Sequence, residues 1–270
     1  MEIDEILDKW FDETFAMYQE NVHPPKRIDL LIMGVLRYSR HCSITTFSLL
    51  RQGAKLSSMV LLRAYLELYI KLFWCLKNNP TSQKDRKDEA YARFRRWDFK
   101  RLIEQRKLYK KELEVIEESS KPEALKDRRS EICKAIKKAD HFIAENKTRE
   151  LKCIPDIWQM LKDISEEKTQ NSPEEILRVY PGLYQRFSKA VHPDMDFIQK
   201  MVTISDKAYI CNCDVNEDIQ ALKLYMFSMS CDINRKIRDF YGWDSAEVQK
   251  EYDLIMAKIG EKNRDSLQEN

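Results

Sequence analysis

The chain has 270 residues, 43% of them hydrophobic and 34% charged, and its 47 basic and 45 acidic side chains leave a formal net charge of only +2. That length can fill one large domain or two small ones around a real core, whereas five glycines and eight prolines are too few for the turns of an all-β or doubly wound fold. The near balance of charge excludes a uniform polycation, so any nucleic-acid site has to be a local patch.

The composition therefore predicts an all-α protein. Residues 2–20 place Ile3, Ile6, Leu7, Trp10, Phe11, Phe15 and Tyr18 at helical spacing, and that helix should stop before His23-Pro24-Pro25. A second helix is expected from about Arg27 to Gln52, carrying Leu30, Leu31, Met33, Leu36, Ile44, Phe47 and Leu50 on its apolar positions, with a break at Gly53. The stretch Met59 to Leu76 is apolar except for Arg63, Glu67 and Lys71. These recur every fourth position and form one stripe on a helix otherwise apolar all round, as expected of the centre of a bundle. Three charges at full bilayer depth argue against a membrane span. Asn78-Asn79-Pro80 is a strong stop.

From Lys84 to Glu150 charged residues dominate, and Ser119-Ser120-Lys121-Pro122 splits the segment into two helical halves, which predicts an αα-hairpin projecting from the core. Between Tyr91 and Lys111 nine Lys or Arg, among them Arg93, Arg95, Arg96, Lys100 and Arg101, are interleaved with Tyr91, Phe94, Trp97, Phe99 and Tyr109. Basic groups beside rings that can stack on unpaired bases suit an RNA-facing surface. A solvated face laced by ion pairs fits the same composition, and some of the rings must seat the hairpin on the core. The hairpin is equally a surface for a protein partner.

Further helices are expected around Ile154 to Ile164, through LYQRFSKAVH up to Pro193, over 215–241, and after Asp244-Ser245, with a polar, frayed tail over 263–270. The organisation predicted is a helical core of residues 1–80 and 151–262 around a charged hairpin of 84–150. Seven cysteines, an odd number lying mostly inside predicted helices, read as reduced thiols. The acidic start MEIDEILDKW lacks the basic and apolar run of a signal peptide, so the expectation is a cytoplasmic protein with no membrane contact.

Cys211-Asn212-Cys213 lacks a second ligand pair at zinc spacing, and no Walker loop, GxGxxG, HExxH or GxSxG occurs, so no metal or cofactor is expected. The Arg63, Glu67, Lys71 stripe is either a solvent-facing seam or a polar seam meeting a buried partner, since charges inside a core must be paired. The best sequence partner lies in GLYQRFSKAVHPD, where Tyr184, Ser188 and His192 are spaced by four and share a helical face, with Arg186 about 120° away around the axis. A histidine at a helix end can equally be a cap favoured by the helix dipole.

Arg186 to His192, RFSKAVH, resembles the Arg, four to six residues, His segment of the HEPN superfamily, all-α bundles that include metal-independent RNases of toxin and phage-defence systems. Leu61-Leu62-Arg63-Ala64-Tyr65-Leu66-Glu67 followed by Ser188-Lys189-Ala190-Val191-His192 is also similar to an uncharacterised bacterial helical family, over residues 30–80 and 175–240 with the hairpin as an insertion. The resemblance implies RNA cleavage with Arg186 and His192 as catalytic pair, Tyr184, Ser188, Arg63 and Glu67 supporting them, and a cleft shared across a homodimer or larger assembly. Phe187 departs from the pattern, because active HEPN nucleases usually carry a polar residue directly after the arginine. The competing reading is a non-catalytic helical binding or scaffold protein in which the same polar residues are structural.

Overall fold

The structure, a computed structural model, describes the backbone of residues 3–77, 83–118, 125–145, 155–165, 182–184, 187–188, 202–205, 208–211 and 218–268, and the side chains of these except 83–84, 98–101, 145, 165, 202–205, 208–211 and 260–268. It is an all-α bundle of α1 (Ile3–Asn21), α2 (Arg27–Arg51), α3 (Lys55–Cys75), α4 (Gln83–Glu117), α5 (Lys126–Glu145), α6 (Ile157–Ser165), α7 (Ile219–Tyr241) and α8 (Ala246–Gln268). One small antiparallel ribbon, β1 (Val202–Ser205) paired with β2 (Ala208–Cys211), accompanies it. No element is predicted over these residues; β-branched Val202, Thr203, Ile204 and Ile210 supply the strand preference.

α3 is the central element. It packs against α2, α4, α6 and α7, and Leu62, Tyr65, Leu66, Tyr69, Ile70 and Leu72 are buried right around its circumference, each worth about 1.5–3 kcal/mol on leaving water. The chain turns from α2 into α3 at Gly53, whose φ of 75° is left-handed backbone, where a side chain would strain the turn.

α1 and α7 close the bundle over α2. Trp10 of α1 stacks on Phe227 of α7 at 5.3 Å, and Phe227 on Tyr252 of α8 at 5.4 Å. Arg238, fully buried on α7, donates to Thr14 Oγ1 at 2.9 Å and to Glu13 Oε2 at 3.0 Å. Asp29 is also fully buried; it accepts from Tyr241 Oη at 2.7 Å and pairs with Lys87 Nζ at 2.9 Å, tying α2 to α7 and α4. α8 runs to Gln268.

The apolar residues of α2 do not all face the core. Its buried face is Ile28, Ile32, Leu36, Phe47 and Leu50, while Leu30, Leu31 and Ile44 stand exposed. Residues 28, 32 and 36 already complete one stripe at the helical period, so 30 and 31 must point elsewhere.

The charged segment forms the predicted hairpin, with α4 packed along α5. Ile116, Ile132 and Ala139 make its own buried seam, and Arg106–Asp140, Arg128–Glu112 (2.8 Å) and Arg129–Glu117 (3.0 Å) cross between its helices. Its base is seated on the bundle by Ala90 and Phe94, which belong to the main core, with Tyr91 and Trp97 packed against it.

Candidate functional site

The polar stripe of α3 meets a buried partner at its N-terminal end. Arg63 heads the polar stripe of α3, and its side chain is only 11% exposed. Its Nη1 donates to Ser188 Oγ at 2.6 Å and its Nη2 to Tyr184 Oη at 2.6 Å. Its Nε donates to Glu67 Oε1 at 3.0 Å, one turn along the same helix. The guanidinium carbon also sits 3.9 Å from the centroid of the Tyr184 ring, a cation–π contact strengthened by burial. Ser188 Oγ donates in turn to the Tyr184 carbonyl at 2.5 Å.

Residues 182–184 and 187–188 are helical, which puts Tyr184 and Ser188 one turn apart on one face, as their spacing predicts. Phe187 is wholly buried and meets Tyr225 of α7 edge to face at 6.3 Å. The position after Arg186 thus belongs to the core, which is the physical reason it is aromatic and not polar. Arg186 and His192 lie outside the described residues.

Chemically, Arg63 is a positioning group. Its Nε, Nη1 and Nη2 each donate to a protein acceptor, and such charge-assisted bonds lock a segment more firmly than neutral ones. The stripe continues through Glu67, whose Oε2 is 3.5 Å from Lys71 Nζ. Lys71 stands 5.3 Å above the ring of Trp97 on α4, so the stripe reaches from the Tyr184–Ser188 segment to the base of the hairpin.

The predicted basic patch on α4 is split by the structure. Arg93 donates to the Lys77 carbonyl at 2.8 Å and the Cys75 carbonyl at 3.4 Å, and pairs with Glu89 at 3.0 Å. It satisfies C-terminal carbonyls of α3 and caps that helix. Arg95 lies between the rings of Tyr91 and Phe142, 5.9 and 5.8 Å from their centroids. Arg96 is half-buried, and the side chains of Lys100 and Arg101 lie outside those described.

A cavity of about 940 Å³ opens where α2, α3, α4 and Phe142 of α5 meet. Sequence reading missed it, having placed Leu30 and Leu31 only among the apolar positions of α2. The signal that could have found it is the surplus on α2, which carries more large apolar residues than one stripe can bury.

Burial pushes the thiol of Cys75 and that of Cys231 far above the ordinary range, which leaves them as inert core side chains. Among the described residues, no group of three or more His, Cys, Asp or Glu is placed to hold a metal ion, and no helix is long and apolar enough to cross a membrane.

An all-α bundle with a seated αα-hairpin and a buried arginine clamp is the class that fold and site define. The chain belongs to the family of unknown function DUF5677, whose model matches residues 29–209. That range contains Arg63, Glu67, Tyr184 and Ser188 and runs through the hairpin, and it stops short of α7. No curated protein and no solved structure matches the chain.

Proposed function

We propose that this chain is a metal-independent ribonuclease of HEPN type acting in a cytoplasmic toxin or phage-defence setting. The observation that supports the reading is the Arg63 clamp: a nearly buried guanidinium holds Tyr184 and Ser188, which flank Arg186 on either side and precede His192 in the chain. In this reading the 2′-oxygen of RNA attacks the adjacent phosphorus and the bond to the 5′-oxygen breaks, leaving a 2′,3′-cyclic phosphate and a 5′-hydroxyl. His192, whose ordinary pKa is about 6.5, moves the proton near neutral pH. Arg186 stabilises the added negative charge of the phosphorane with a planar, permanently charged fork. Two copies related by a two-fold axis share the cleft, and the hairpin, as an insertion in the core, contacts RNA or a partner protein.

Purified protein is expected to cut single-stranded RNA in EDTA and leave 2′,3′-cyclic ends. Arg186→Ala or His192→Ala should abolish cleavage while helical content and melting temperature stay unchanged. Intact RNA under all conditions, or unfolding of both variants, would sink this reading.

The second reading, a non-catalytic binding or scaffold protein, is favoured by the full engagement of Arg63 with protein acceptors. A chain that binds RNA without cutting it, or that binds only a protein, supports it.

A further inference from the structure

We propose that the cavity between α2, α3 and the base of the hairpin is a binding site for a free small molecule with an apolar body and one anionic group. The proposal is independent of RNA cleavage. Four helices line the space, which stays open to solvent: Leu30, Leu31 and Tyr38 come from α2, Leu68 from α3, Trp97 from α4 and Phe142 from α5. Its volume of about 940 Å³ is that of pockets which engulf a ligand of drug size.

Leu30, Leu31 and Tyr38 are 59%, 42% and 48% exposed, a contiguous apolar wall of the kind that marks an interaction site. Gly34 sits between Leu30 and Tyr38 at spacing four, and a Cβ placed on it would meet nothing within 4 Å. The wall is therefore hollow at its centre.

Charge decides the ligand class. Among the described residues, Arg27, Lys71 and Arg95 line the cavity with one carboxylate, Glu67, three positive charges to one negative. Glu67 is already bracketed by Arg63 and Lys71. Lys71 is shared between Glu67 Oε2 at 3.5 Å and the ring of Trp97, so an arriving anion competes with Glu67 for the ammonium, and Arg95 lines the same cavity beside the rings of Tyr91 and Phe142. A cationic ligand would meet net repulsion there.

The test uses the full chain and two fluorescent probes that share a ring body, anionic 8-anilinonaphthalene-1-sulfonate and neutral N-phenyl-1-naphthylamine. The anion is expected to bind saturably at one site per chain, about tenfold more tightly than the neutral probe. Gly34→Leu fills the hollow from a helical position where leucine is the better helix former, and should remove binding of both probes without lowering the melting temperature. Lys71→Met combined with Arg95→Met should weaken the anion by about tenfold and leave the neutral probe unchanged. Unaltered anion binding in folded Gly34→Leu overturns the proposal. So does equal affinity for both probes, or a wild-type chain that takes neither, which would leave this face to a macromolecular partner.

Discussion

Arg63 and Ser188 are 125 positions apart in the chain, yet Arg63 Nη1 donates to Ser188 Oγ at 2.6 Å. That bond, with its neighbour to Tyr184, pins a distant segment to the central helix. Removing the guanidinium takes the charged donor from two hydroxyls and leaves Glu67 paired with Lys71. Arg63→Met is expected to destabilise the fold by about 2–3 kcal/mol, and a double-mutant cycle with Ser188→Ala to return a coupling of about 1 kcal/mol. Arg63→Lys should recover little, since an ammonium cannot span both hydroxyls with a planar fork. Urea denaturation of the four variants checks this, and additive losses would show that the bond is not a unit.

Phe187 is a core residue beside the proposed catalytic arginine. Phe187→Ala should cost about 3–5 kcal/mol. Phe187→Asn, which introduces the polar residue usual in HEPN nucleases, should cost at least as much by burying an unpaired amide against Tyr225. A stable, more active Asn variant in thermal denaturation and RNA-cleavage assays would contradict the placement of this side chain.

The arginines of α4 should separate by function. Arg93→Met uncaps α3 and is expected to lower the melting temperature with little change in RNA affinity. Arg95→Glu with Arg101→Glu should weaken RNA binding and flatten its salt dependence, because each lost phosphate contact releases fewer counterions. Filter binding across a salt series tells them apart, and an unchanged slope would assign both residues to protein contacts or solubility.

Glu251 links α8 to α1. Burial acts to raise its pKa, but hydrogen bonds from Lys9 Nζ at 2.7 Å and Trp10 Nε1 at 2.6 Å outweigh it and hold the carboxyl below its ordinary 4.5. A carboxyl depressed in the folded state contributes stability above its unfolded pKa and loses it as pH falls through the folded one. Stability should thus decline on acidification below about pH 4.5, and Glu251→Gln should remove under about 1 kcal/mol of it at neutral pH. Melting curves from pH 7 to pH 3 measure the difference, and parallel profiles for the two proteins would refute it.

Much of the architecture is legible in the residues. The low glycine and proline content gives the all-α class, and a helix apolar all round can satisfy its side chains only at the centre of a bundle. The rise in charge after Pro80 marks the hairpin, because such a segment cannot bury enough surface to join the core along its whole length. The spacing of four in Arg63, Glu67 and Lys71, and again in Tyr184 and Ser188, shows two polar faces. Only the tertiary structure joins them, since periodicity reports which residues share a face and says nothing of what that face meets. The same limit hid the cavity, where Leu30 and Leu31 look like core until α2 takes Ile28, Ile32 and Leu36 inward. It also hid the division of labour in the basic run: Arg93 and Arg95 are two positions apart, so a helix aims them about 200° apart. One then reaches the end of α3 and the other the mouth of the cavity.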